Sequence, residues 1–135
     1  MVFGTFDILH KGHLNFFKQA RLLSQNPFLI VSVARDVNVE KIKKHKPKNN
    51  ESNRLKSVAS LKQVNRAVLG GINNYLKHII KEKPEIIALG YDQIAYTNSL
   101  KKSLTKLGLN VKIVRLKAFK SNIYKSSKLK NYADY

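Results

Sequence analysis

Cysteine is absent from the 135 residues, so neither a disulfide framework nor a thiolate metal site can be built. Such a chain is compatible with a reducing cytosol. No apolar run approaches the roughly 20 residues of a membrane-spanning helix, and no signal-peptide pattern opens the chain. A cytoplasmic protein that engages no membrane is therefore expected. Acidic residues are scarce: 8 Asp and Glu stand against 26 Lys and Arg, for a formal charge of +18. Histidine is scarcer still, at four residues. Apolar material is not lacking. At 43% it suffices for one hydrophobic core, and the length suits a single domain over 1–135.

A surface of this charge attracts polyanions, so nucleic acid has to be weighed as a partner. The 21 lysines, however, are spread along the whole chain and accompanied by 13 asparagines, which reads as a bias of composition. Nucleic acid is accordingly not expected. A basic nucleic-acid-binding module stays as an alternative of another class, and part of the charge is left to serve phosphate-bearing substrates.

Apolar and polar segments alternate in a regular order. Met1 to Phe3 reads as the end of a short buried strand, and Leu14, Phe17, Ala20 and Leu23 give one face of a helix. Phe28 to Ala34, FLIVSVA, reads as a strand buried on both sides. Residues 35–53 are lysine-rich and poor in apolar positions, so a loop is expected, with some helix around Val37 to Lys41. Helices are expected near Ser52 to Leu61, Asn73 to Lys81 and Thr97 to Leu107. Strands are expected at Ala67 to Leu69, Ile86 to Leu89 and Val111 to Leu116. In the helix near Ser52 to Leu61, Leu55, Val58, Ala59 and Leu61 should face inward. A further helix is expected over Lys125 to Tyr132 in the C-terminal segment 117–135. This alternation predicts an α/β fold, one Rossmann-like doubly wound domain with a five-stranded parallel sheet and helices on both faces. Ligands of such sheets bind beyond the carboxyl ends of the strands, where strand order reverses.

Two segments should meet at that point: GTFDILHKGH, from Gly4 to His13, and Gly90-Tyr91-Asp92-Gln93. In the first, Gly4 lets the backbone leave the strand sharply and Thr5 offers a hydroxyl and an N–H. His10-Lys11-Gly12-His13 leads into a helix whose first N–H groups are unpaired. Two imidazoles there can donate to phosphate oxygens, and Gly12 has no side chain to keep a phosphate away. Asp7 is close enough to hold a divalent cation or orient a ligand. Zinc fits poorly, because no third ligand is evident beyond Asp7.

GTFDILHKGH resembles the GTFDxxHxGH signature of the cytidylyltransferase-like branch of nucleotidyltransferases. ARDVNV at 34–39 followed by Lys41, Arg54 ahead of a helix, AVLG at 67–70, ALGYDQ at 88–93 and VKIVRL at 111–116 resemble archaeal FAD synthases within it. The resemblance implies transfer of AMP from ATP to FMN, giving FAD and pyrophosphate. CTP with glycerol-3-phosphate, or another small phosphorylated alcohol, is the alternative. It also implies a homodimer and a magnesium ion on the triphosphate, with Asp7 in its shell. Carried over by position, His10, His13 and Lys41 are the catalytic residues. Thr5, Phe6, Lys11, Gly12, Gly90 and Asp92 bind nucleotide with the histidines, while Lys43 and Arg54 contact phosphate. Ser126 and Ser127 match a serine/threonine-rich element that precedes the last helix in relatives. Phe119 stands where archaeal FAD synthases tend to carry tyrosine, and it can stack on a ring but not donate a hydrogen bond.

Overall fold

The computed structural model describes residues 1–93 and 97–119. Five strands and five helices occur among them: β1 (Val2–Gly4), α1 (Lys11–Arg21), β2 (Ile30–Val33), α2 (Asp36–Lys43), α3 (Glu51–Ala59), β3 (Arg66–Leu69), α4 (Tyr75–Glu82), β4 (Ile86–Leu89), α5 (Thr97–Lys106) and β5 (Lys112–Arg115).

The helix ends follow local chemistry. Asn50 caps α3 through the Asn53 N–H at 2.8 Å, and Asn74 caps α4 through the Lys77 N–H at 3.1 Å. Lys83, with φ of 52°, closes α4 just before Pro84, and Gly108, with φ of 75°, follows α5. Two expectations about residues 28–53 change. The strand is shorter than FLIVSVA, and Phe28 stays 63% exposed. The lysine-rich stretch is mostly α2 and the start of α3, so that only 44–50 between them is loop. Ala59, expected inward, is exposed, whereas Val58 is fully buried.

All strand pairs are parallel, but they form two sheets, β1-β2-β3 and β4-β5, and not one ladder of five. The reason is the brevity of β1. Beside β4 the backbone bonds described come from Met1, whose nitrogen donates to the Ile86 carbonyl at 2.8 Å and whose carbonyl accepts from the Ala88 N–H at 3.0 Å. Alternate residues sort the core into two. Val2, Val31, Val33 and Ala88 pack with Phe17 of α1 and Val58 of α3. Ile87 and Leu89 pack with Ile79 of α4 and with Leu100 and Leu104 of α5, joined by Phe3. Period-two strands between two helical layers thus place α1 and α3 on one face and α4 and α5 on the other. The chain runs outward from β1 to β2 and β3, then returns past β1 to β4, so the reversal falls between β1 and β4.

Candidate active site

The N-terminus of α1 is built by the two histidines of the first motif. His10 is extended, and its Nδ1 accepts the Gly12 N–H at 3.0 Å; Nδ1 of His13 accepts the His10 N–H at 3.3 Å. Serine and glutamate usually make this reciprocal cap; here imidazoles do. Because Nδ1 is the acceptor in both rings, the neutral tautomer of each carries its hydrogen on Nε2. The ring centroids lie 3.9 Å apart with a 30° tilt. Burial pushes the His13 pKa down to about 3, with the charges of His10 and Lys43 adding to it, and burial lowers that of His10. The pair is therefore a stacked set of neutral imidazoles at a helix start, where His10 takes the Gly12 N–H on Nδ1 and the His13 N–H on its carbonyl at 3.0 Å. The Nε2–H groups of such a pair can donate hydrogen bonds to phosphate oxygens without surrendering a proton.

Phe6 forms the floor of this pair. Its ring is 4% exposed and meets His13 edge-on at 5.3 Å and Phe17 at 5.3 Å. Its backbone sits at φ of 52°, an uncommon region for a non-glycine residue. Expected as a nucleotide contact, the Phe6 side chain is instead a core anchor, because the turn folds it back under Gly4. A Cβ built on Gly4 would lie 2.6 Å from Phe6 Cζ. Thr5 is half-buried and Lys11 exposed beside it.

Two more expectations change at the segment that follows β2. Asp7, expected beside a cation, is 5% exposed and turned to the loop: Oδ2 accepts the Lys48 N–H at 2.7 Å and Oδ1 the Asn49 N–H at 2.8 Å. Arg54, expected at phosphate, is 1% exposed. Its Nε donates to the Asn49 carbonyl at 2.9 Å, Nη1 to the Thr5 carbonyl at 2.8 Å and Nη2 to Asp36 at 2.7 Å. A buried guanidinium costs free energy unless paired, and these acceptors from three chain segments pair it. Among the lysines, Lys43 has its charge on His13. It lies one turn beyond buried Val39 on α2, whereas exposed Lys41 lies about 160° round the helix from that face. Lys43 is thus the lysine of α2 whose charge reaches His13, and Lys41 lies on another side of that helix.

Across the reversal point, the turn after β4 is held by Gln93, a residue the sequence reading left without a role. Its Oε1 accepts the Gly90 N–H at 2.7 Å, while Nε2 donates to the Phe3 carbonyl at 2.7 Å. Arg115 adds Nη1 bonds to the carbonyls of Gly90 at 2.8 Å and Gln93 at 3.0 Å. This presents Asp92, which is exposed, beyond the end of β4. Phe119 is half-buried past β5, and Ser126 and Ser127 lie outside the described residues. Among the described residues no group of three or more His, Cys, Asp or Glu gathers to hold a metal.

Against this geometry, a family model described as cytidylyltransferase-like matches residues 1–132. The chain belongs to the cytidylyltransferase-like family. Curated relatives in the range of this match are called FAD synthase. That of Korarchaeum cryptofilum is 48% identical, with 88% of this chain and 81% of that relative covered. That of Archaeoglobus profundus is 45% identical, with 92% and 77% covered. Among solved structures, a chain titled lipopolysaccharide core biosynthesis protein from Thermoplasma volcanium superposes with a TM-score of 0.82 at 40% identity, covering 88% of this chain and 95% of that one.

Proposed function

We propose that this chain is an FAD synthase, transferring AMP from ATP to FMN in the cytoplasm. What supports this reading is the identity of 48% and 45% to proteins called FAD synthase, sustained over 88% and 92% of this chain. An oxygen of the FMN phosphate forms a bond to the α-phosphorus of ATP, the bond from that phosphorus to the bridging oxygen breaks, and pyrophosphate leaves. The attacking phosphate is already ionised, so the protein supplies no general base. Its work is alignment and relief of charge on the in-line transition state. The Nε2–H groups of His10 and His13 hold the triphosphate at the N-terminus of α1, with Thr5, Lys11 and Gly12 around them. Lys43, whose charge reaches His13, brings an ammonium from α2, and Lys41 extends the positive field. Asp92 at the end of β4 and Phe119 beyond β5 are offered to the nucleoside, and Ser126 and Ser127 to phosphate.

The Asp7 carboxylate is engaged by loop N–H groups and fits a resident cation poorly. A divalent ion such as magnesium therefore enters as part of the nucleotide substrate. Bridged by Met1 and by Gln93, the two sheets act as one five-stranded surface of a single domain over 1–135. The homodimer rests on the resemblance, and light scattering checks it. The function is tested by a pyrophosphate-release screen of ATP and CTP, each against FMN and glycerol-3-phosphate. ATP with FMN is expected to turn over and to yield a yellow product; release with CTP and glycerol-3-phosphate alone overturns the proposal.

A further inference from the structure

The lysine-bearing segment has an unusual mechanical problem. From Glu40 to Lys46 every residue is exposed, so no apolar side chain anchors it between Val39, 2% exposed, and half-buried Pro47. Lys41, Lys43, Lys44, Lys46 and Lys48 fall within it or at its edge, and like charges at this density repel one another. Its place over the histidines must come from polar ties at its two ends. At the α2 end, the Asp36 N–H donates to Glu51 at 2.9 Å, the Glu51 N–H returns to Asp36 at 3.1 Å, and Arg54 clamps the same Asp36 at 2.7 Å. At the other end Asn49 touches the motif turn with both backbone and side chain, beside the Lys48 N–H on Asp7 Oδ2 at 2.7 Å. Its Nδ2 donates to the Asp7 carbonyl at 2.7 Å and reaches Asp7 Oδ1 at 3.3 Å, its own N–H donates to Asp7 Oδ1 at 2.8 Å, and its carbonyl receives Arg54.

We propose that Asn49 is a positioning residue for nucleotidyl transfer: by tying the lysine-bearing segment to the turn that carries the histidines, it holds the Lys43 ammonium over the reacting phosphates. The assignment rests on the nucleotidyltransferase reading above. Asn49 itself is exposed, so truncating it opens no cavity in the core. Truncation removes the Nδ2 tie to Asp7 and leaves the backbone bonds of Lys48 and Asn49 to hold the segment against its own charge.

The test is a double-mutant cycle on kcat/KM for pyrophosphate release, with Asn49→Ala, Lys43→Ala and the double variant, using the substrate pair that the wild-type chain turns over. If Asn49 acts through Lys43, Asn49→Ala lowers kcat about tenfold in the wild-type background, with KM for the nucleotide within about twofold. In the Lys43→Ala background it lowers kcat less than about twofold. Independent, multiplicative losses, or a loss under about twofold in the wild-type background, overturn the proposal. Should Asn49→Ala fail to fold, Asn49→Ser goes through the same cycle with the same two outcomes. A wild-type chain inactive on ATP and FMN but active on another pair overturns the FAD synthase reading, while the cycle on that other pair still decides the role of Asn49.

Discussion

Gly4 and Phe6 set the shape of the motif turn, and the constraint runs from ring to glycine. With a Cβ on Gly4 only 2.6 Å from Phe6 Cζ, Gly4→Ala forces the ring off the floor of His13. Overpacking of this kind costs about 1–3 kcal/mol, read as a lower midpoint in urea unfolding. Gly90→Ala, whose Cβ would meet nothing closer than 3.4 Å, is the control and stays closer to wild type. The histidines carry a pH prediction with a definite sign. His13 is held down to about 3 in the folded chain against 6.5 in the unfolded one, and the unfolded state therefore binds the extra proton between those values. Its contribution to stability is complete above pH 6.5 and is lost as pH falls, by at most about 2 kcal/mol at pH 5. His10 and His78 shift in the same direction, so His13→Gln flattens the slope of the urea midpoint between pH 7.5 and 5 without abolishing it. The motif itself was legible because glycine, acid and imidazole at fixed spacing have few other uses. The roles of Phe6, Asp7 and Arg54 were not. Each is decided by a partner more than 40 positions away or by burial, and spacing along the chain reports neither.

Strands β1 and β4 diverge after a single pair of backbone bonds, and Gln93 occupies the gap. Its side-chain amide donates to one strand and accepts near the end of the other, as a peptide group of an inserted strand would. Gln93→Ala leaves the Gly90 N–H and the Phe3 carbonyl without that amide. Each half-buried group so exposed costs about 1 kcal/mol, and the turn bearing Asp92 loosens. The expected outcome is a roughly fivefold weaker binding of nucleotide, measured by calorimetry with a non-hydrolysable ATP analogue, together with a lower unfolding midpoint. Binding and stability both unchanged would remove Gln93 from this role. Most elements could be placed from periodicity: Ile86–Leu89 has its predicted bounds, and Gly108 closes α5 as expected. The division into two sheets could not, because it depends on how far β1 extends and on a side chain that substitutes for main chain. Neither leaves a periodic trace. Helix α2 was underestimated for a related reason: its eight residues bury only Val39, so its apolar stripe is one residue wide.

A charge of +18 spread over the chain acts on polyanions well before contact. Lysines lie on α1 at Lys11 and Lys18, on α5 at Lys101, Lys102 and Lys106, and most densely between Lys41 and Lys48. Lys11 lies within the histidine motif itself, and the last group is tied to that turn through Asp7. Two consequences separate an enzyme from a nucleic-acid module. If the field serves a triphosphate captured by the histidine pair, screening should weaken capture and leave the chemical step alone. The Debye length shrinks from about 10 Å at 0.1 M salt to about 3 Å at 1 M, so distant lysines drop out while Lys43, next to the reacting groups, does not. KM for ATP is then expected to rise several-fold between about 50 and 500 mM potassium chloride, with kcat within about twofold. His10→Ala should abolish transfer and leave any residual binding of duplex DNA unaltered, since that binding would follow total charge and fall steeply with salt. A kcat that collapses together with KM over the same range would mean that remote lysines touch the transition state. The close pairing of Lys43 with the histidines would then not account for the charge that catalysis uses.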